Sequence, residues 1–132
     1  MSECFFKPNS LQYPQSLFLS QSVCHALGGF LAEPMTSEQN DLVRKIIFDE
    51  GSNHTWLGGS DLFQEGHWFW ATSGQAIAIS GDDTDWAPGQ PNNRHGENCL
   101  MIWNDGGHWN DADCDIDLPF VCQKTISSTV VG

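Results

Sequence analysis

The residues best suited to chemistry in this chain are the carboxylates and amides that crowd the segment between Asp82 and Asp117. Hard oxygen ligands without cysteine or histidine partners are typical of calcium sites rather than zinc sites. The segment therefore predicts a site for a hard cation. Its oxygen-bearing residues are Asp82, Asp83, Asp85, Gln90, Asn92, Asn93, Glu97, Asn98, Asn104, Asp105, Asn110, Asp111, Asp113, Asp115 and Asp117.

One pattern in this segment imitates an EF-hand and is rejected. The run Asp111-x-Asp113-x-Asp115 matches the opening of an EF-hand loop. Ile116 stands at the sixth position, where glycine is needed, and Cys122 at the twelfth, where a bidentate glutamate belongs.

The tripeptide Gln90-Pro91-Asn92 is more informative. A proline between two amides can adopt a cis peptide bond, which folds the turn so that both flanking side chains point the same way. Two convergent amide oxygens then need partners from elsewhere in the chain. The candidates are Glu97, Asn110 and Asp111.

The charge of the chain limits its partners. Its 17 acidic residues against 5 Lys and Arg give a formal net charge of −12. Nucleic acid is excluded as a partner class because phosphates require a basic face, and an anionic membrane surface is disfavoured. No apolar run approaches the length of a membrane span. No signal peptide is visible in the sequence. The expectation of a secreted, mature domain therefore depends on the cysteines.

The five cysteines favour an oxidising compartment. They contain no Cys-x-x-Cys pair, which argues against a zinc ribbon or a thioredoxin-like redox motif. Four of them can form two bridges and leave one over. Because any four cysteines allow three pairings, the residues alone leave the connectivity open. The cysteines are Cys4, Cys24, Cys99, Cys114 and Cys122.

Apolar periodicity predicts two helices followed by short strands. The first helix is expected over residues 16–27, and the second over residues 36–50 behind a capping box at Thr36. Its apolar stripe is expected to be core, and the stripe consists of Leu42, Val43, Ile46 and Ile47. Strands are expected over residues 54–59, 67–72, 99–103 and 119–123.

The segment over residues 73–98 offers only a short Ala-Ile-Ala-Ile run for packing, so we expect something else to hold it. The order of elements predicts an α+β fold. We expect one domain over residues 1–124 and a short tail over residues 125–132.

Six motifs together resemble the C-type lectin domain from roughly Cys4 to Lys124. They are CHALGGFLAE (24–33), TWLGG (55–59), GQPN (89–92), ENC (97–99), WNDADC (109–114) and FVCQK (120–124). The resemblance implies a C-type lectin-like fold with bridges Cys24–Cys122 and Cys99–Cys114. It also implies a long loop held by calcium.

The resemblance further implies two cation sites. A primary calcium would be held by Gln90, Asn92, Glu97, Asn110 and Asp111. A second would use Asp61, Glu65, Asn93, Glu97 and Asn98. Two vicinal sugar hydroxyls would fill the open positions of the primary ion. The implied protein is a secreted, non-enzymatic lectin that recognises glycans on microbes or cells.

The tripeptide Trp-Asn-Asp occurs twice, and the resemblance distinguishes the copies. In the family, the functional copy lies a few residues before the third core cysteine, and Trp109-Asn110-Asp111 has that spacing to Cys114. The copy Trp103-Asn104-Asp105 enters a Gly-Gly turn, where Asn and Asp are ordinary residues.

The chain departs from the family pattern at Gln90 and Asn92. Mannose-type members carry Glu-Pro-Asn and galactose-type members carry Gln-Pro-Asp. This chain combines the glutamine of the galactose type with the asparagine of the mannose type. An amide whose oxygen binds calcium presents NH2 to the sugar, so a hydroxyl here would meet two donors and no acceptor. An unmade hydrogen bond costs on the order of 1 kcal/mol. We expect weak or broad sugar binding, and the motif leaves mannose-type and galactose-type ligands open.

Three alternatives remain open from the residues. The domain is either a lectin or a protein-binding domain of the same fold with weak or no sugar binding. Asn93 and Asn98 stand where the family often has aspartate, so the second cation site is either weak or empty. Cys4 either bridges to a second chain, giving a disulfide-linked homodimer, or is a free thiol.

Overall fold

A computed structural model of the protein describes residues 2–8, 14–49, 54–81, 83–92, 96–103 and 107–126. Two helices and eight strands lie within these ranges, which confirms the α+β fold. In chain order they are β1 (Ser2–Phe6), α1 (Leu17–Ala26), β2 (Phe30–Leu31), α2 (Ser37–Asp49), β3 (Thr55–Gln64), β4 (His67–Trp70), β5 (Ala76–Ile77), β6 (Cys99–Ile102), β7 (Trp109–Ala112) and β8 (Cys122–Ile126).

The strands form two antiparallel sheets. The smaller sheet has the order β1-β8-β2, and the larger has the order β5-β4-β3-β6-β7. The main core lies between α2 and the larger sheet, where Val43 and Ile47 pack in one buried cluster with Leu57, Leu100 and Trp109. Strand β7 is therefore an edge strand whose inner side chains reach the core.

Both predicted helices are present, and local capping explains where they begin. The Ser16 side chain accepts a hydrogen bond from the Leu19 amide (3.4 Å), and Thr36 Oγ1 accepts one from the Gln39 amide (3.1 Å). Gln39 Oε1 in turn accepts from the Met35 amide (2.9 Å). These bonds satisfy amides that have no partner inside the helix.

The prediction that Leu42 belongs to the core stripe of α2 is wrong, because 54% of this residue is exposed. Val43 and Ile47 are buried and Ile46 is half-buried. Val43 and Ile47 lie one above the other on one face of the helix, and Leu42 lies about 100° around the axis from Val43. The buried face of α2 is therefore narrower than the four-residue stripe predicted from the sequence.

The last strand begins and ends later than predicted. It starts at Cys122 rather than at residue 119, since strand β1, which the sequence analysis missed, pairs with it from Phe6↔Cys122 to Ser2↔Ile126. Thr125 and Ile126, which were grouped with the tail, continue this strand. Residues 127–132 lie outside the described residues.

Two disulfide bonds cross-link the fold. Cys24–Cys122 connects α1 to β8, and Cys99–Cys114 connects the start of β6 to the chain just after β7. The pairing implied by the family resemblance is confirmed. Cys4 is a half-buried free thiol on β1. Within the described residues, no helix has the length and apolar character needed to cross a membrane.

Candidate functional site

Strand β7 supplies two of the predicted ligands, Asn110 and Asp111. They pair in antiparallel register with Met101 and Leu100 of β6, and both are buried. The preceding residue, Trp109, is fully buried and contacts Trp70 edge-on at a centroid distance of 5.7 Å. Strand pairing and this core tryptophan thus position the two ligands.

The segment that leads to Gln90 is attached to the same strand. The Trp109 amide donates to the Asp85 carbonyl (2.7 Å), and the Ala87 amide donates to the Trp109 carbonyl (2.9 Å). The Gln90 amide then donates to the Ala87 carbonyl (2.9 Å). These backbone bonds bring Gln90 towards the ligands of β7.

The expectation that residues 73–98 pack only through the Ala-Ile-Ala-Ile run is wrong, because Trp86 packs as well. Its ring contacts Trp68 at 5.0 Å and Trp109 at 5.8 Å, both edge-on, and its indole N–H donates to the Ala78 carbonyl (3.0 Å). Protein contacts therefore hold part of this segment without any cation.

A polar chain from α2 supports the same region, and the sequence analysis missed it. Buried Asn40 accepts a hydrogen bond from the Trp109 indole N–H (3.0 Å) and donates from Nδ2 to Asp85 Oδ2 (2.8 Å). The other oxygen of Asp85 lies 2.8 Å from His108 Nδ1. An asparagine among the apolar positions of α2 was the only signal in the sequence.

Two side-chain oxygens of the predicted primary set are buried acceptors that receive no hydrogen bond from the described residues. They are Gln90 Oε1 and Asn110 Oδ1. Buried acceptors are normally paired, and leaving one unpaired costs about 1–3 kcal/mol. Amide oxygens are calcium ligands, so these two atoms fit a hard cation. The Gln90–Pro91 peptide bond is cis.

The remaining members of the primary set lie on the chain between Gln90 and β6. Asn92 is exposed and Glu97 is half-buried, and both lie outside helix and strand. In the described part of the chain, no three Asp, Glu, His or Cys side chains meet at one point. The primary set has only two carboxylates, Glu97 and Asp111, and its other members are amides.

The structure brings together three members of the predicted second set. The amide of Asp61, on β3, donates to the Asn98 carbonyl (3.1 Å), and Asp61 Oδ2 accepts from the Gly66 amide (3.0 Å). A cavity of about 310 Å3 is lined by Asp61 and Glu65 together with Gln90, so the two sets are neighbours. Asn93 lies outside the described residues.

The carboxyl group of Asp61 has an unusual environment. Burial raises the pKa of Asp61 to about 6; the hydrogen bond from the Gly66 amide opposes this shift, and the nearby negative charge of Glu65 adds to it. Its Oδ1 atom is buried and accepts no hydrogen bond from the described residues. A cation beside this group would favour its charged form.

The family model for the lectin C-type domain matches residues 13–124. The chain belongs to the C-type lectin domain family. Members of this family are binding proteins rather than enzymes. Collectin-43 of Bos taurus is 34% identical over 108 residues, which are 79% of this chain and 32% of that protein. The chain thus spans about a third of the length of this relative.

Two solved structures are similar to this chain in fold. A carbohydrate-recognition domain of cow CD23, solved in the presence of a GlcNAc2Man3 oligosaccharide, is 28% identical with a TM-score of 0.75, over 95% of this chain and 88% of that one. Herring type II antifreeze protein is 25% identical with a TM-score of 0.78, over 96% and 94%. Similarity of fold therefore does not by itself choose a ligand.

Proposed function

We propose that this domain binds carbohydrate in a calcium-dependent manner through Gln90, Asn92, Glu97, Asn110 and Asp111. The observation that carries the proposal is the pair of buried acceptors, Gln90 Oε1 and Asn110 Oδ1, that lack hydrogen bonds from the described residues. Both belong to the ligand set implied by the family. Lectin relatives such as collectin-43 support carbohydrate as the class of ligand.

The composition of this set suits calcium. Two carboxylates and three amide oxygens are hard ligands, and calcium takes about six to eight oxygens, so five side chains leave positions open. A bound calcium ion would supply direct coordination of two vicinal sugar hydroxyls. The carboxylates of Glu97 and Asp111 would accept hydrogen bonds from one of those hydroxyls, and the amide NH2 groups of Gln90 and Asn92 would donate to the other.

The amide pair Gln90 and Asn92 sets the expected affinity. A family member with glutamate or aspartate at one of these positions has a carboxylate there, which accepts a hydrogen bond and also adds negative charge near the cation. This chain has neither at that pair. We therefore propose weak or broad recognition of mannose-type or galactose-type glycans.

A second cation at Asp61, Glu65, Asn93, Glu97 and Asn98 would support the primary site. Two observations support this assignment: Asp61 is adjacent to Asn98, and Asp61 Oδ1 receives no hydrogen bond from the described residues. Only three of the five residues are acidic, so we propose weaker binding here than in relatives with two more aspartates.

A protein-binding domain is the second candidate function. Phe63 is 93% exposed and Leu62 is 48% exposed at the end of β3, next to Asp61. Large apolar side chains exposed on a surface can mark a protein contact. This reading requires no sugar and keeps calcium as a structural ion.

We also propose that the protein is extracellular, because its two disulfides suit an oxidising compartment. The glycans that it recognises would then be those on microbes or cells. Cys4 would bridge two copies into a homodimer, in which paired weak sites gain avidity. A non-reducing gel tests this assembly. A monomer band alone would contradict it.

Retention on mannose-agarose and galactose-agarose tests the proposed function. The protein should be retained in millimolar calcium and released by chelator. Asn110→Ala should flow through, and the matched control Gln75→Ala, an exposed amide outside the proposed site, should be retained. If the wild-type protein flows through both resins while calcium raises its melting temperature, the sugar-binding assignment is wrong and the protein-binding candidate gains support.

A further inference from the structure

An open groove lies beside Gln90, and Asp61 is not among its lining residues. Its volume is about 510 Å3, and it is lined by both apolar and polar residues, among them Ile79, Trp86, Gln90 and His108. Small-ligand sites commonly measure about 300–1,000 Å3. Because Gln90 lines the groove and also belongs to the proposed primary set, the groove is continuous with the proposed sugar site.

His108 presents a hydrogen-bond acceptor in this groove. Carboxylate oxygens only accept hydrogen bonds, so the 2.8 Å contact with Asp85 places the ring proton of a neutral His108 on Nδ1. Nε2 is then an acceptor, and it makes no hydrogen bond to the described residues. The side chain is 46% exposed, so this atom is accessible to a ligand.

The polar chain behind His108 fixes the orientation of the ring. Asp85 is held from the other side by Asn40 Nδ2 (2.8 Å), and Asn40 in turn accepts from the buried Trp109 indole (3.0 Å). His108 is also two residues before Asn110, and alternate residues of an extended chain point to the same side. The acceptor thus lies on the side of the chain that carries a proposed cation ligand.

We propose that the groove is a subsite for a second, neutral sugar residue of a bound glycan, with His108 Nε2 accepting a hydrogen bond from one of its hydroxyl groups. Ile79 and Trp86 border the groove with apolar surface suited to the C–H face of a sugar ring. The inference rests on the proposed function, because the first sugar residue occupies the calcium site. It adds a hydrogen-bond acceptor for the second sugar residue and leaves the hydroxyl beside Gln90 and Asn92 facing donors only.

The charge of the groove restricts the sugar. Among the described residues, no Lys or Arg lines it, and Asp85 does. An acidic sugar would meet like charge in a protein of net charge −12. We therefore expect neutral disaccharides to bind more tightly than the same disaccharides carrying a sialic acid.

Calorimetric titration in calcium tests the subsite with free mannose, free galactose, mannobiose and lactose. The wild-type protein should bind its preferred disaccharide on the order of fivefold more tightly than the monosaccharide. His108→Ala should lose this gain and keep the monosaccharide affinity. His108→Gln, whose amide can donate to Asp85 and still accept from the sugar, should restore part of it. His25→Ala, an exposed histidine on α1, is the matched control.

Each outcome separates the subsite from the proposed function. A monosaccharide affinity with no disaccharide gain, or a gain that His108→Ala leaves intact, overturns the subsite and leaves calcium-dependent sugar binding in place. Loss of monosaccharide affinity in His108→Ala also overturns it, since the residue would then act on the primary site. Failure of the wild-type protein to bind any of the four sugars overturns both.

Discussion

The proposed site has two halves that are built differently. Asn110, Asp111 and Asp61 project from paired strands of the larger sheet, and Trp109 anchors β7 in the core. Gln90, Asn92 and Glu97 each lie outside helix and strand. The fold itself therefore positions one half, whereas the other half depends on a few contacts near Gln90 and, as we propose, on calcium.

The largest expected effect comes from removing Trp109, the side chain that anchors β7 in the core. Trp109→Ala deletes a fully buried indole that contacts Trp70 and Trp86 and donates to Asn40, so it should lower the free energy of unfolding by about 3–5 kcal/mol. Chemical denaturation measures this loss.

The other Trp-Asn-Asp copy provides the control. Trp103 is half-buried at the edge of the second core cluster, so Trp103→Ala should cost less, below about 2 kcal/mol. Equal losses in the two variants would contradict the assignment of different roles to the two copies.

The next effect concerns the unpaired acceptors. Gln90→Ala and Asn110→Ala should each weaken calcium binding about tenfold or more, comparable with the loss from disturbing a metal's supporting shell. Neither should lower stability in the absence of calcium, because each removes a buried oxygen that receives no hydrogen bond from the described residues. Calorimetric titration and calcium-free melting measure the two quantities.

Gln75→Ala should change neither quantity. If Asn110→Ala destabilises the calcium-free protein as much as it weakens calcium binding, Asn110 is a structural residue rather than a cation ligand.

The sequence predicted the candidate ligands better than the contacts that support them. The residues Gln90, Asn110 and Asp111 follow from short motifs, and the two disulfides follow from the family resemblance. The contact of Asn40 with Asp85 was missed because it joins residues 45 positions apart, through side chains that no local pattern pairs.

Burial and edge pairing were the other features that the sequence predicted poorly. Helix periodicity placed Leu42 in the core, but burial depends on how α2 docks against the sheet. Strand β1 was missed because its pairing with β8 joins opposite ends of the chain. Local propensity contains no information about either arrangement.

The smallest expected effect is a pH dependence at Asp61. Its pKa is about 6 in the folded protein against an ordinary value of 3.8, so the folded state binds the proton more tightly. The contribution of this group to calcium-free stability is therefore full below pH 3.8 and is lost as the pH rises to about 6. Calcium needs the carboxylate, so its stabilising effect should grow as the pH rises through the same range.

Melting temperatures with and without calcium between pH 4 and pH 8 measure both trends. Over this range the change in melting temperature of the wild-type protein should differ from that of Asp61→Asn by about 2–3 °C. A calcium effect in Asp61→Asn that keeps the wild-type pH profile would show that another group controls it.

Hydrogen exchange with and without calcium tests the division of the site into two halves most directly. Calcium should slow exchange of the amides in residues 90–98 by about tenfold or more and leave those of Trp109–Ala112 within about twofold of their calcium-free rates. Equal slowing in both regions, or no slowing in residues 90–98 while calcium is bound, would contradict the account.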